Sequence, residues 1–171
     1  MAERDLISVL IGDHRRLEEP LRQLRAAADA DERRRLAEEV TLELVRHSVA
    51  EEKYLYPAVR KVLPHGDISA GRRIASHAVI VEILKELETI DAASPEFGAL
   101  TTELVNEVHQ HIVDEDYSVF PWLAQRLNDD EALIQLGKQV QAFFDSAPPV
   151  TPGPGLVDRA REQLCGHVSH R

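Results

Sequence analysis

Two stretches of this chain carry the same potential chemistry. In one, His47 stands four residues before Glu51 and ten before Pro57; in the other, His111 stands four before Glu115 and ten before Pro121. Each is preceded by a lone histidine at nearly the same distance, with His14 33 residues before His47 and His77 34 before His111. The pattern is a duplicated unit, H…HxxxE followed by H…HxxxE. On a helix, residues i and i+4 stack one turn apart on one face. Two such faces turned inward would gather four imidazoles and two carboxylates, a ligand set for a pair of metal ions. A single core histidine is usually a residue with a satisfied hydrogen bond, but four in register with two carboxylates are not explained that way. Unpaired carboxylates in a helical core cost several kcal/mol, and metal cations neutralise them directly. Nitrogen and oxygen donors without thiolate suit iron, manganese or zinc.

The elements that must position these residues read as helices throughout. Apolar residues recur at helical spacing and no segment alternates like a strand. A first helix is expected from Arg4 to Ala28, kinked by Pro20, and a second from Asp31 to Leu63, kinked or broken by Pro57. Pro64-His65-Gly66-Asp67 reads as a turn and Ser69 to Asp91 as a third helix. Ser94 reads as an N-cap with Pro95 at the first helical position, opening a fourth helix to Leu127 in which Pro121 echoes Pro57. A fifth runs from Asp129 to Phe144. Long helices with short loops predict an all-α, up-down-up-down four-helix bundle. His14 and His77 then fall on the first and third helices, and the two HxxxE pairs on the second and fourth.

Residues 1–145 are thus expected to form the bundle plus its extra helix. Residues 146–155, with four prolines and two glycines, form a linker. Residues 156–171 form a short amphipathic tail that docks on the bundle, pairs with a second chain in a homodimer, or stays mobile.

Composition narrows the function. The formal net charge of −10 argues against non-specific nucleic-acid binding. The run Arg33-Arg34-Arg35 is followed by Glu38 and Glu39 and reads as a solvated helix face. No run of about 18 apolar residues predicts a membrane span, and charges throughout the first twenty residues do not fit a signal peptide, so a cytoplasmic protein is expected. The lone Cys165 has no partner for a disulfide or redox pair.

The combined motif resembles the hemerythrin family, in its bacterial HHE cation-binding branch. The Asp13-His14 opening, the HxxxEE and HxxxED motifs and the aromatic-Pro pairs Tyr56-Pro57 and Phe120-Pro121 carry the resemblance, over about residues 5–127. It implies a non-haem di-iron centre bound by His14, His47, Glu51, His77, His111 and Glu115. It also implies that both glutamates bridge the two irons, beside an oxo or hydroxo bridge.

One departure matters. Oxygen-carrying hemerythrins place a second histidine one turn from the first on the third helix; here Arg73 and Val81 stand one turn from His77. One iron is then expected to be less saturated, which argues against simple oxygen carriage. Tyr54, three residues past Glu51, is a candidate iron ligand or peroxide hydrogen-bond donor, with a plain core tyrosine as the alternative. Its counterpart in the second repeat is Ser118. Glu43 and Glu107, each four residues before a motif histidine, read as solvated or capping groups or as partners to a histidine ring nitrogen. His65, His109, His167 and His170 read as surface residues, and Trp122, Phe143 and Phe144 as packing.

Three functions follow from this reading. The first is a catalase-like enzyme acting on hydrogen peroxide or related reactive oxygen or nitrogen species. The second is a module that binds or senses oxygen, nitric oxide or iron without turnover. The third is iron storage, ranked last because no cage-forming signature is visible.

Overall fold

The structure is a computed structural model and describes residues 4–127 and 129–166. It is all-helical; among the described residues there is no strand. His167, His170 and the end of the expected tail lie outside the described residues.

The first helix, α1 (Leu6–Ala26), begins where the Asp5 carboxylate accepts the Ser8 backbone N–H at 2.7 Å, and it runs unbroken through Pro20. It buries Leu6, Val9, Leu10, Asp13, His14, Leu17, Leu21 and Leu24, a stripe at helical period. Helix α2 (Ala30–Ala50) is capped by Asp29, which accepts from Glu32 N at 3.0 Å. Each such cap is worth about 1 kcal/mol.

The expected second helix does not simply kink at Pro57. It passes into a π-helical turn, π1 (Glu51–Leu55), and resumes as α3 (Tyr56–Val62). The second repeat does the same. Helix α5 (Pro95–Asp114) leads into π2 (Glu115–Val119) and then α6 (Phe120–Leu127). Proline has no N–H to donate, so Pro57 and Pro121 cannot complete α-helical bonding one turn back. A wider turn of i→i+5 bonds takes up the mismatch: Tyr56 N–H reaches Glu51 O, and Phe120 N–H reaches Glu115 O.

Helix α4 (Gly66–Thr89) starts after His65, which adopts the left-handed conformation at φ 57°. Gly66 is required there, because a Cβ would collide with the Val59 carbonyl and lie 2.7 Å from Arg60 Cα. Ser94 caps α5 as expected, accepting from Phe97 N at 3.3 Å.

Each of these four long helices touches two others: α1 packs on α2 and α5, and α4 packs on α2 and α5. The ligand candidates face the space they enclose.

Helix α7 (Asp130–Ser146) packs across α1, and Gly137 makes this approach close. A Cβ at Gly137 would strike the Arg4 carbonyl and lie 2.6 Å from Asp5 C. The tail forms α8 (Leu156–Gly166), which docks on α2 and α4 and buries Leu156, Val157, Ala160 and Leu164. Of the three dispositions expected for the tail, the structure shows docking on its own chain.

The arginine run departs from expectation. Arg33 donates to Ala27 O at 2.9 Å and Ala92 O at 3.1 Å, and Arg34 donates to Leu87 O at 2.6 Å and to Ile90 O. Carbonyls at the end of a helix lack intrahelical partners, and these guanidiniums satisfy them. Only Arg35 of the three is exposed, pairing with Glu39.

Candidate metal centre

The apolar interior is interrupted by one polar layer. His14, His47, His77 and His111 are each no more than 3% exposed, and Glu51 and Glu115 are fully buried. The six fall into two groups that share the glutamates.

In the first group, His14 Nε2 lies 3.5 Å from Glu51 Oε1 and 3.5 Å from Glu115 Oε2, and His47 Nε2 lies 3.1 Å from Glu51 Oε1. In the second, Glu51 Oε2 lies 3.2 Å from His77 Nε2 and 3.4 Å from His111 Nε2, while Glu115 Oε1 lies 3.5 Å from His111 Nε2. The two imidazole nitrogens of this group are 3.2 Å apart. Each glutamate thus presents one oxygen to each histidine pair.

The other ring nitrogens are held from outside this layer. His14 Nδ1 donates to Asp116 at 2.8 Å, His47 Nδ1 to Asp13 at 2.8 Å and His77 Nδ1 to Glu52 at 3.0 Å. His111 Nδ1 lies 3.2 Å from Ser76 Oγ. The three carboxylates make Nδ1 the donor in His14, His47 and His77, and all four rings present Nε2 inward, which is how ligating histidines are oriented. Asp13 is in turn gripped by Arg16 at 2.7 Å and Arg46 at 3.5 Å. Glu43 binds both of those arginines, so it acts on His47 through them and Asp13 rather than by touching a ring.

The electrostatics are those of a cation site. Burial alone would lower the His14 pKa, but the carboxylates of Glu115 and Glu51, each 3.5 Å away, push it up to about 11. The same contest, settled by Glu51 and Asp13 at His47 and by Glu115 and Glu51 at His111, pushes these up to about 9 and about 10. Burial opposes ionisation of Glu51, yet the charge of His47 and the nearby imidazoles of His111 and His14 hold it well below the usual carboxylate range. The two buried carboxylates are met here by imidazole nitrogens, the other donors of a cation site.

Metal fit is tested by the atoms left over. His14 Nε2, His47 Nε2, Glu51 Oε1 and Glu115 Oε2 are all buried without a hydrogen-bond partner among the described residues. Orphaned buried polar atoms are rare in folded proteins, and here the four converge on one another. Glu51, His77 and His111 converge likewise. The buried cluster suits a metal centre.

Tyr54 is placed against α7. Its ring packs against Phe143, with centroids 6.0 Å apart. The residue that reaches the cluster is Tyr56, whose hydroxyl lies 2.9 Å from Glu115 Oε1, 3.2 Å from Glu51 Oε2 and 3.2 Å from His77 Nε2. The π-turn is the reason: with i→i+5 bonding, the residue five past Glu51 falls over it, and the residue three past it is carried aside. The counterpart of Tyr56 in the second repeat is Phe120, which stacks on His14 with centroids 5.7 Å apart. At the cluster the repeats therefore differ by Tyr56 against Phe120, one at each histidine pair. The repeated aromatic-Pro pair was the available sequence signal for both the π-turn and Tyr56. Asp116 and Glu52 carried a signal too, since each directly follows a motif glutamate.

The family model of the hemerythrin HHE cation binding domain matches residues 5–123. The chain belongs to this family. A hemerythrin-like protein of Schizosaccharomyces pombe is 30% identical over 122 residues, covering 71% of this chain and 60% of that protein. A DNA nickase of Nostoc is 22% identical over 129 residues, covering 75% of this chain and 36% of that enzyme. The chain thus spans less than two thirds of the length of these relatives. No solved structure matches it. As a hemerythrin-family chain it has a buried histidine and glutamate cluster, and no helix among its described residues is long and apolar enough to cross a membrane.

Proposed function

We propose that this chain is a non-haem di-iron protein acting on hydrogen peroxide or related small reactive oxygen or nitrogen species. The observation that carries the reading is the sharing of the two glutamates: each offers one oxygen to the pair His14 and His47 and the other to the pair His77 and His111. One ion would sit at each pair, in an up-down-up-down four-helix bundle formed by the helices that carry the ligands. Bound iron would supply the electron transfer that peroxide disproportionation requires.

The protein side of the chemistry falls to Tyr56. Burial and the charges of Glu51 and Glu115 push its pKa well above the usual phenol range, so it keeps its proton. Its O–H donates to Glu115 at 2.9 Å and stands at the His77 and His111 pair, where its one proton can turn from Glu115 to an oxygen atom of a bound small molecule. That is also the pair at which carrier hemerythrins have a further histidine. Here Arg73 is turned to Asp114, at 3.0 Å, and Val81 lines an apolar cavity. The cavity borders His47, His77 and His111 and is walled by residues such as Leu17, Ile80 and Val108. Its mostly apolar lining suits a small uncharged molecule and disfavours ions.

The same apolar cavity supports a second reading, a module that binds oxygen or nitric oxide without turnover. Metal analysis, an ultraviolet–visible spectrum and gas evolution separate the two. Two irons per chain and oxygen release on adding peroxide are expected. A stable, reversible oxygen-complex band with no release supports binding alone, and a protein that takes up no iron overturns both.

A further inference from the structure

We propose that the C-terminal helix α8 is a strap on the metal site, with Arg161 as a positioning residue for His77. The inference rests on the di-iron reading for its consequence, but the contacts that carry it belong to the chain itself. Arg161 Nη2 donates to Glu52 Oε2 at 3.1 Å, and Glu52 Oε1 accepts from His77 Nδ1 at 3.0 Å. Glu52 therefore stands between the tail and the imidazole, one carboxylate oxygen committed to each.

The other carboxylate-held histidine with an arginine behind it shows what this arrangement does. His47 is held by Asp13, and Asp13 by Arg16 and Arg46, all four within the residues matched by the family model. His77 has the same carboxylate and guanidinium relay, but its arginine comes from beyond the match, across a proline-rich linker. A carboxylate gripped by a guanidinium has one orientation, and it passes that orientation to the ring it holds. Unlike a surface ion pair, this one is partly enclosed, with side-chain exposures of 29% and 24% for Arg161 and Glu52.

Helix α8 is built to stay where Arg161 needs it. Val157 N–H donates to Glu88 at 2.6 Å, Lys85 pairs with Asp158 at 2.9 Å, and Lys53 of π1 donates to Leu164 O at 3.0 Å. These ties flank a buried apolar face of Leu156, Val157, Ala160 and Leu164. A cleft lined by Ile74, Ala78, Val81, His77, Glu52 and Arg161 lies between α8 and α4, so the helix also forms one wall of the approach to His77. Release of the strap would loosen the His77 ring and widen that approach together, while His14 and His47 keep their own supports.

The test uses the full chain with two substitutions, Arg161→Met to cut the relay and Val157→Asp to lift α8 with Arg161 intact. In iron-loaded protein, iron release to ferrozine under reducing conditions is followed in time. Both variants should release one of the two irons about tenfold faster, the usual effect of losing such a support, and the other at the wild-type rate. Unchanged release, or equal acceleration of both irons, overturns the proposal. Nitrogen-15 spectra of the histidine rings in metal-free protein give a second readout that survives failure of the di-iron reading. His77 should show a fixed Nδ1–H tautomer in the wild type and a mixture in both variants; a fixed tautomer in the variants overturns the strap.

Discussion

The hydroxyl of Tyr56 lies 2.9 Å from Glu115 Oε1, so a residue of the first repeat holds the carboxylate of the second. The bond exists because the turn that begins at Glu51 is π-helical. It gives the centre a direction: a hydroxyl at the His77 and His111 pair, and the ring of Phe120 against His14 at the other.

Tyr56→Phe removes a hydrogen bond to a charged group, worth about 1.5–3 kcal/mol. If that donor acts in the transition state, peroxide turnover should fall by about tenfold or more, with metal content intact because six ligands remain. Tyr54→Phe should leave the rate and the visible spectrum unchanged. Stopped-flow oxygen release on both variants decides the matter, and an effect at Tyr54 with none at Tyr56 would reverse the assignment.

Glu51→Ala should abolish most binding of both ions, because its two oxygens serve different histidine pairs. His77→Ala should weaken one ion more than the other. Iron per chain, measured by elemental analysis after desalting, gives the answer. A Glu51→Ala protein that still carries two irons sinks the shared-carboxylate geometry.

Asp13→Asn should weaken metal binding by about tenfold without touching a ligand atom. It removes the charge that orients His47 and leaves Arg16 and Arg46 with Glu43 alone. Competition against a chelator measures the loss. Retention equal to wild type would show that His47 is oriented by packing instead.

Two glycines should respond with opposite signs. Gly137→Ala forces a Cβ into the backbone of residues Arg4 to Leu6, and overpacking of this kind costs about 1–3 kcal/mol. Gly71→Ala lies inside α4 with open space around it, and replacing an exposed helical glycine gains about 0.5–1 kcal/mol. Urea unfolding of the two variants beside wild type reads both values. A destabilised Gly71→Ala would mean that α4 is strained there.

Truncation after Ala147 should leave the bundle helical and metallated, since all six ligand candidates precede it, with one of the two irons released faster because Arg161 is lost. It should also lower the urea midpoint, because α2 and α4 lose the apolar face that covers them. Circular dichroism with elemental analysis checks both halves. Loss of all iron would mean that α8 supports the centre beyond His77.

The amino-acid sequence by itself determined the helical class, the duplicated H…HxxxE unit and the cap Ser94. These depend on residue type and short spacing, which local backbone geometry converts directly into structure. It also singled out the six residues that the fold gathers, because i, i+4 pairs stay together on any helix. Tertiary structure decided what spacing along a regular helix cannot express. Two prolines bring π-turns into the helices at the glutamates, and one widened turn sets the Tyr56 hydroxyl beside Glu51 and Glu115. Arg33 and Arg34 resemble a solvated run until the end of α4 is set beside them. Arg161 stands 84 residues from His77 and behind a linker. Its role depends on where α8 lands, which is decided by the apolar face it buries and not by any local preference of the chain.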